Sequence, residues 1–228
     1  MTRRALIIAG TRGLGLGLVR KHLARGWQVT TTFRNPSAEL AALRDQAGDR
    51  LSLEPLDIND PAQARALAGR LRDRRFDLLF LNAGIMAGRG VALTEVADAD
   101  VNALFLTNAI SPIRVADALA PLVDAGGMVA FMSSILGSIG TNEDGRAELY
   151  RASKAALNSL IRSFRARLGR ADVTVLALHP GVVRTAMGGP SAPLDIETSV
   201  SGVADVIAAR WGDGGIAFVD YRNQIIPW

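Results

Sequence analysis

The chain has 228 residues, 49% of them hydrophobic and 21% charged, enough for one large domain with a buried core and unlike any disordered or fibrous class. It contains no cysteine and only two histidines, His22 and His179, which excludes disulfides, thiolate sites and cysteine nucleophiles and leaves few ligands for a transition metal. Lysine plus arginine outnumber the acids by 26 to 22, a net charge of +4 that is scattered along the chain, and no segment approaches the roughly 20 apolar residues of a membrane span. A cytoplasmic protein with no membrane and no nucleic-acid partner is expected. The densest basic cluster, Arg70, Arg72, Arg74 and Arg75, reads as the solvated end of a helix.

From Arg4 to Ala9 an apolar run leads into a glycine-rich turn and then into LGLVRKHLARG, which has helical spacing and stops at Gly26. A strand from Trp27 to Phe33 follows, then a helix carrying Leu40, Ala41 and Leu43, and a strand from Leu51 to Leu56. A helix from Pro61 to about Arg74 and a strand from Phe76 to Leu81 close the first half. The second half holds a long helix from about Thr94 to Val123, a strand at Met128 to Met132, and a helix around Tyr150 reaching about Leu168. A strand at Val173 to Leu178, a helix from about Glu197 to Arg210 and a strand at Ile216 to Asp220 complete it. Strands apolar on both faces that alternate with helices predict an α/β fold, a doubly wound parallel sheet of seven strands with helices on both faces. No linker or low-complexity stretch divides residues 1–228, so a single domain is expected.

In such sheets ligands bind outside the carboxyl ends of the strands, where the strand order reverses. The first such loop is Ala9, Gly10, Thr11, Arg12, Gly13, Leu14 and Gly15, whose glycines let backbone and helix amino terminus approach a pyrophosphate. At the end of the second strand, where an acid would grip the ribose hydroxyls of NAD(H), Phe33 is followed by Arg34. Arginine there, with Arg12 beside it, favours a 2′-phosphate and therefore NADP(H) over NAD(H); the alternative is a loop arginine in water. Asp57 and Ile58 after the third strand offer an acid to adenine edges, and Asn82, Ala83 and Gly84 after the fourth offer a narrow path for adenosine.

Tyr150 and Lys154 are four apart, which on a helix puts a phenol and an ammonium on one face. A nearby buried cation lowers a tyrosine pKa from about 10 toward the range useful for proton transfer; the alternative is a surface tyrosine over a lysine. Pro112 lies inside the long helix and has no N–H for the Asn108 carbonyl, which is then free to hold a water.

With these residues in view, the chain resembles the short-chain dehydrogenase/reductase family, and within it a bacterial subgroup related to the C-factor signalling protein. The resemblance implies a three-layer Rossmann fold with strand order 3-2-1-4-5-6-7. It implies that Tyr150 is the proton donor or acceptor, that Lys154 holds nicotinamide ribose and lowers the tyrosine pKa, and that Ser134 binds the substrate oxygen. It makes Asn108 part of a proton relay, Asn82, Ala83 and Gly84 the remnant of an Asn-Asn-Ala-Gly motif, Asp57 an adenine contact, and Pro180, Gly181, Val183 and Thr185 the nicotinamide loop. A small carbonyl or alcohol substrate and a homodimer or homotetramer are implied as well. Two departures stand out: Ile8-Ala9 replaces the opening Thr-Gly, which predicts an altered first turn, and Leu81 replaces the first asparagine.

Ser133 is expected to point away from Ser134 on an extended strand, and His179 to be structural. The stretch 182–197 reads as a lid hinged at Gly188-Gly189-Pro190 and ordered only on binding, over a pocket lined by Ile135, Leu136, Asn142 and Met187. Arg184 there either attracts an acid or faces water. The rival reading is a dinucleotide-binding sensor or signalling protein without turnover.

Overall fold

The seven expected strands pair into one parallel sheet, in a computed structural model that describes residues 2–88 and 90–228. The strands are β1 (Arg4–Ile8), β2 (Gln28–Phe33), β3 (Leu51–Pro55), β4 (Phe76–Leu81), β5 (Val123–Met132), β6 (Thr174–His179) and β7 (Ile216–Asp220), in the order β3-β2-β1-β4-β5-β6-β7. The helices are α1 (Gly13–Ala24), α2 (Ala38–Ala47), α3 (Pro61–Arg70), α4 (Asp98–Phe105), α5 (Ser111–Leu119), α6 (Glu148–Leu168) and α7 (Ile196–Ala209). Successive strand residues face opposite sides, so β1 sends Leu6 and Ile8 into one core and Ala5 and Ile7 into another. The first core is closed by Leu67, Ile113 and Phe164, the second by Leu18, Leu40 and Val203. The order reverses between β1 and β4, and their carboxyl ends open the crevice that the sequence predicts.

β2 corrects the expectation that every strand is apolar on both faces: Thr30, Thr31 and Thr32 are all buried. Their hydroxyls are spent on the fold. Thr31 Oγ1 donates to the Ile7 carbonyl at 2.8 Å, Thr32 Oγ1 accepts from the Ala9 N–H at 2.9 Å, and Thr30 Oγ1 accepts from Arg74 at 2.7 Å. Arg74 is thereby half-buried over the Phe76 ring, whereas its neighbours Arg72 and Arg75 are exposed as expected.

The long helix expected between Thr94 and Val123 is broken into α4, a π turn at Leu106–Ile110, α5 and a short 3-10 turn at Ala120–Leu122. The Ser111 N–H reaches back to the Leu106 carbonyl, five residues away, which swells the helix where Asn108 sits. Contrary to the sequence reading, the combined stretch Asp98–Leu122 is long and apolar enough by composition to cross a membrane. Its apolarity is explained by packing, since 61% of its most apolar window is buried inside the protein.

The altered first turn has a backbone consequence. Ala9 occupies the left-handed region at φ 66°, where a Cβ crowds its own peptide. The glycines beside it are required by contact instead: a Cβ at Gly10 would come within 2.0 Å of Thr31 Oγ1, and one at Gly15 within 2.1 Å of the Ala9 carbonyl oxygen. Ala9→Gly is therefore expected to raise stability by about 1 kcal/mol, read as a higher denaturant midpoint at unchanged slope. A lower midpoint would show that the turn carries no such strain.

Candidate active site

Tyr150 and Lys154 lie in the first two turns of α6, which begins after Ala147. Both are buried, with 8% and 3% of their surfaces exposed. Lys154 Nζ lies 5.9 Å from the centre of the Tyr150 ring and donates to the Met132 carbonyl at 3.0 Å, at the carboxyl end of β5. Tyr150 Oη reaches Met187 Sδ at 3.9 Å in the 182–197 segment. Burial pushes the Tyr150 hydroxyl up to about 12, against a smaller opposing effect of a hydrogen bond with Ser134. Burial likewise pulls the Lys154 ammonium down to about 8. Desolvation thus dominates both groups, and the phenol is protonated at neutral pH.

Ser134 and Ser133 diverge as expected. Ser134 caps a short 3-10 turn, Ile135–Gly137, by accepting from the Leu136 N–H at 3.1 Å, and its hydroxyl is shared with Tyr150. Ser133 Oγ instead donates to Asn158 Oδ1 at 2.6 Å, and Asn158 Nδ2 donates to the Gly137 carbonyl at 3.1 Å, tying the serine turn to α6.

Asn108 is fully buried in the π turn. Its Oδ1 accepts from the Ile85 N–H at 2.8 Å, and its Nδ2 donates to the Ile85 carbonyl at 2.9 Å and to Ser153 Oγ at 3.1 Å. Ser153 Oγ in turn donates to the Tyr150 carbonyl at 2.8 Å. A Cβ placed on Gly84 would lie 3.5 Å from both Asn108 Oδ1 and Lys154 Nζ, so these two groups meet at the loop after β4. Sequence reasoning missed Ser153 and Asn158; their signal was a polar residue on the same helical face as Lys154 or Tyr150.

The crevice residues fit a phosphorylated dinucleotide. Arg12 stands at the N-cap of α1 without a side-chain cap, and the first turn has no acid, so the amino-terminal N–H groups face the crevice. Arg12 and Arg34 are exposed and, among the described residues, neither guanidinium has an ion-pair or hydrogen-bond partner. Thr11 is bound through its carbonyl to Ser37 Oγ at 3.0 Å, which fixes the loop carrying Arg34 against the glycine turn. Gly10 lies in that turn, and Leu14 and Gly15 in the first turn of α1 that follows it. Asp57 Oδ1 accepts from the Asn59 N–H at 2.9 Å, Ile58 packs against the core, and Asn82 Nδ2 donates to the Ala9 carbonyl at 3.1 Å, with Ala83 and Gly84 following. Lys154 uses one of its three donors on protein, which leaves two for a ligand.

Pro180, Gly181, Val183 and Thr185 arrive from the far side. The Pro180 carbonyl accepts from Ser199 Oγ at 2.7 Å, and Thr185 Cγ2 lies 3.9 Å from the position of a Cβ on Gly13, across the crevice. The 182–197 segment is tied by its own backbone: Val183 bridges Leu194, and the Gly189 N–H donates to the Thr185 carbonyl at 2.9 Å. Arg184 is consumed by that structure, donating to the Ala192 and Pro193 carbonyls at 3.0 Å and pairing with Asp195 at 3.7 Å.

The expected pocket is divided. Tyr150 and Leu136 line a cavity of about 640 Å³ with Met86, Val91, Leu93 and Val96, whereas Ile135 lines a second one of about 500 Å³ with His179, Val182, Leu194 and Asp220. Asn142 is exposed and lines neither. Arg151, missed by sequence reasoning, pins the first cavity's rim through Asp144 at 2.7 Å and the Arg146 carbonyl at 2.7 Å. His179 ends β6 with Nδ1 unpartnered, and burial pulls it down to about 4 despite the nearby Asp220 charge.

The sheet order defines a class, the doubly wound α/β folds, and here a phenol, an ammonium and a serine meet at the carboxyl edge of the sheet. The chain belongs to the short chain dehydrogenase family, whose model it matches over residues 3–193. It is 39% identical over 166 residues to C-signal of Myxococcus xanthus, covering 72% of this chain and 99% of that protein. A short-chain dehydrogenase/reductase of Burkholderia multivorans, solved with bound NADP, superposes with a TM-score of 0.95 at 44% identity over 100% of both chains. A carbonyl reductase of Pseudomonas aeruginosa in complex with NADP gives 0.92 at 43% identity, again over 100% of both.

Proposed function

We propose that this protein is an NADP(H)-dependent oxidoreductase that interconverts a small carbonyl compound and its alcohol. The observation that carries the reading is Tyr150, a buried phenol held protonated beside Ser134 and one helical turn from Lys154. Bound NADPH supplies the hydride to the carbonyl carbon. Ser134 Oγ and Tyr150 Oη hold the carbonyl oxygen, and the Tyr150 proton passes to that oxygen as its negative charge develops. Lys154 stabilises the phenolate left behind and, lying near neutrality, returns a proton to it. Asn108, clamped to Ile85 and Ser153, keeps the helix open beneath Lys154 for a water that resupplies that proton.

Titration of protein fluorescence with NADPH and then NADH, followed by reductant consumption over a panel of aldehydes, ketones and quinones, tests this. Tight NADPH binding with turnover of any one class is expected; absence of NADPH binding overturns the reading. The identity to C-signal favours one second reading, a dinucleotide-binding signalling protein, and binding without turnover across the panel would favour it.

The cofactor preference rests on Arg34 and Arg12, exposed beside the crevice. Arg34→Ala is expected to weaken NADPH binding about 10- to 100-fold, the equivalent of one charge-assisted contact, with NADH affinity unchanged. Equal losses for both cofactors would remove Arg34 from 2′-phosphate recognition.

A further inference from the structure

Asn59 lies in the loop between β3 and α3, two residues past Asp57, and has no place in the reaction described above. Both ends of its carboxamide are bonded to the π turn: Nδ2 donates to Thr107 Oγ1 at 3.0 Å and Oδ1 accepts from Ser111 Oγ at 2.8 Å. Those two hydroxyls belong to the residues on either side of the stretch that carries Asn108, and Ser111 is the residue whose N–H closes the π turn. Thr107 is 8% exposed and Ser111 is fully buried, so neither can exchange Asn59 for bulk water at low cost. On its other flank the turn is held through Asn108 itself, by Ile85 and by Ser153, which bonds the Tyr150 carbonyl. The Asn59 N–H meanwhile donates to Asp57 Oδ1 at 2.9 Å.

A continuous set of hydrogen bonds therefore runs from the Asp57 carboxylate through Asn59 to both ends of the π turn, and from Asn108 through Ser153 to the backbone of Tyr150. The π turn is the element that can adopt a second arrangement, since an i→i+4 bond competes with the i→i+5 bond and the two differ in where Asn108 points. Extra helical width of this kind needs outside support, and Asn59 supplies it from the loop that would meet the adenine end of the cofactor. Resting on the cofactor reading, we infer that Asn59 is a positioning residue that couples occupancy of the adenosine end of the crevice to the π turn bearing Asn108.

The coupling is testable without turnover. Hydrogen–deuterium exchange is followed in the full chain with and without adenosine 2′,5′-bisphosphate, the half of the cofactor that cannot donate hydride. In the wild type, ligand is expected to slow exchange at residues 57–60 and also at 106–111. In Asn59→Ala, slowing is expected at 57–60 but not at 106–111. Thr107→Val, which removes one of the two bonds while keeping the residue's shape, is expected to give intermediate protection and serves should the alanine variant fold poorly. With NADPH and a carbonyl substrate, Asn59→Ala is expected to lower kcat about fivefold or more at unchanged KM for the carbonyl. Retained protection of 106–111 in both variants, or no protection there in a wild type that binds the ligand, overturns the coupling while leaving the cofactor reading intact. A wild type that does not bind the bisphosphate overturns both.

Discussion

Tyr150→Phe is expected to lower kcat for carbonyl reduction by about 10²- to 10⁴-fold, the range of a positioned proton donor, while NADPH binding changes little. The two side chains differ only by the hydroxyl, and the ring keeps its packing against Leu104 and Leu149. The loss therefore reads the proton rather than the fold. Ser134 loses its partner on Tyr150, a cost of about 1 kcal/mol that leaves the protein folded. Because burial pushes the phenol up to about 12, it is protonated throughout the neutral range. A variant that keeps most of its kcat would remove Tyr150 from the chemistry and leave no other hydroxyl of comparable acidity at the site.

Lys154→Met is expected to do two opposite things at once, abolishing turnover and stabilising the cofactor-free protein. Lys154 is 3% exposed and its ammonium is pulled from 10.5 to about 8 by burial. The unfolded chain therefore holds this proton more tightly than the folded one, so folding carries a penalty below pH 8 that fades as pH rises toward 10.5. At neutral pH the difference corresponds to roughly 3 kcal/mol. The Met132 carbonyl, left without its donor, takes back about 1 kcal/mol. A net gain of about 2 kcal/mol should raise the melting temperature by roughly 4 to 8 °C at pH 7. The gain should shrink as the pH approaches 10, because only the wild type becomes more stable across that window. A lower melting temperature for the methionine variant, or a gain independent of pH, would show that the ammonium is not desolvated as the geometry implies. Stability sacrificed at one buried group for chemistry is a common pattern of enzyme sites, and it would distinguish a catalytic lysine from one that merely packs.

Asp144 and Arg151 illustrate how much of the site lies outside short motifs. Arg151 is the residue next to Tyr150, and at 8% exposure its guanidinium ties the loop over the cavity to the start of α6. Nothing in its spacing marks it apart from the other arginines, since its partners come from a loop with no periodicity.

The fold class, the number of strands, the shared helical face of Tyr150 and Lys154, and the divergence of Ser133 from Ser134 were legible in the chain alone, because each follows from a local period or a local backbone restriction; the place of Ser134 in the site came from the family resemblance. A parallel strand buried on both faces must be apolar, a helix must bring residues four apart together, and an extended segment must alternate its side chains. The altered first turn was announced by Ile8-Ala9, where the family resemblance expects Thr-Gly. The π turn, the polar β2, the pairing of Asn59 with Thr107 and Ser111, the spent Arg184 and the split of the pocket into two cavities were decided only by tertiary structure. Each depends on partners tens of residues away, and no period in the sequence records which buried hydroxyl will meet which amide. The pKa of Tyr150 belongs to the same group: spacing placed an ammonium on the same helical face, but only packing determined that the phenol is buried and its pKa raised.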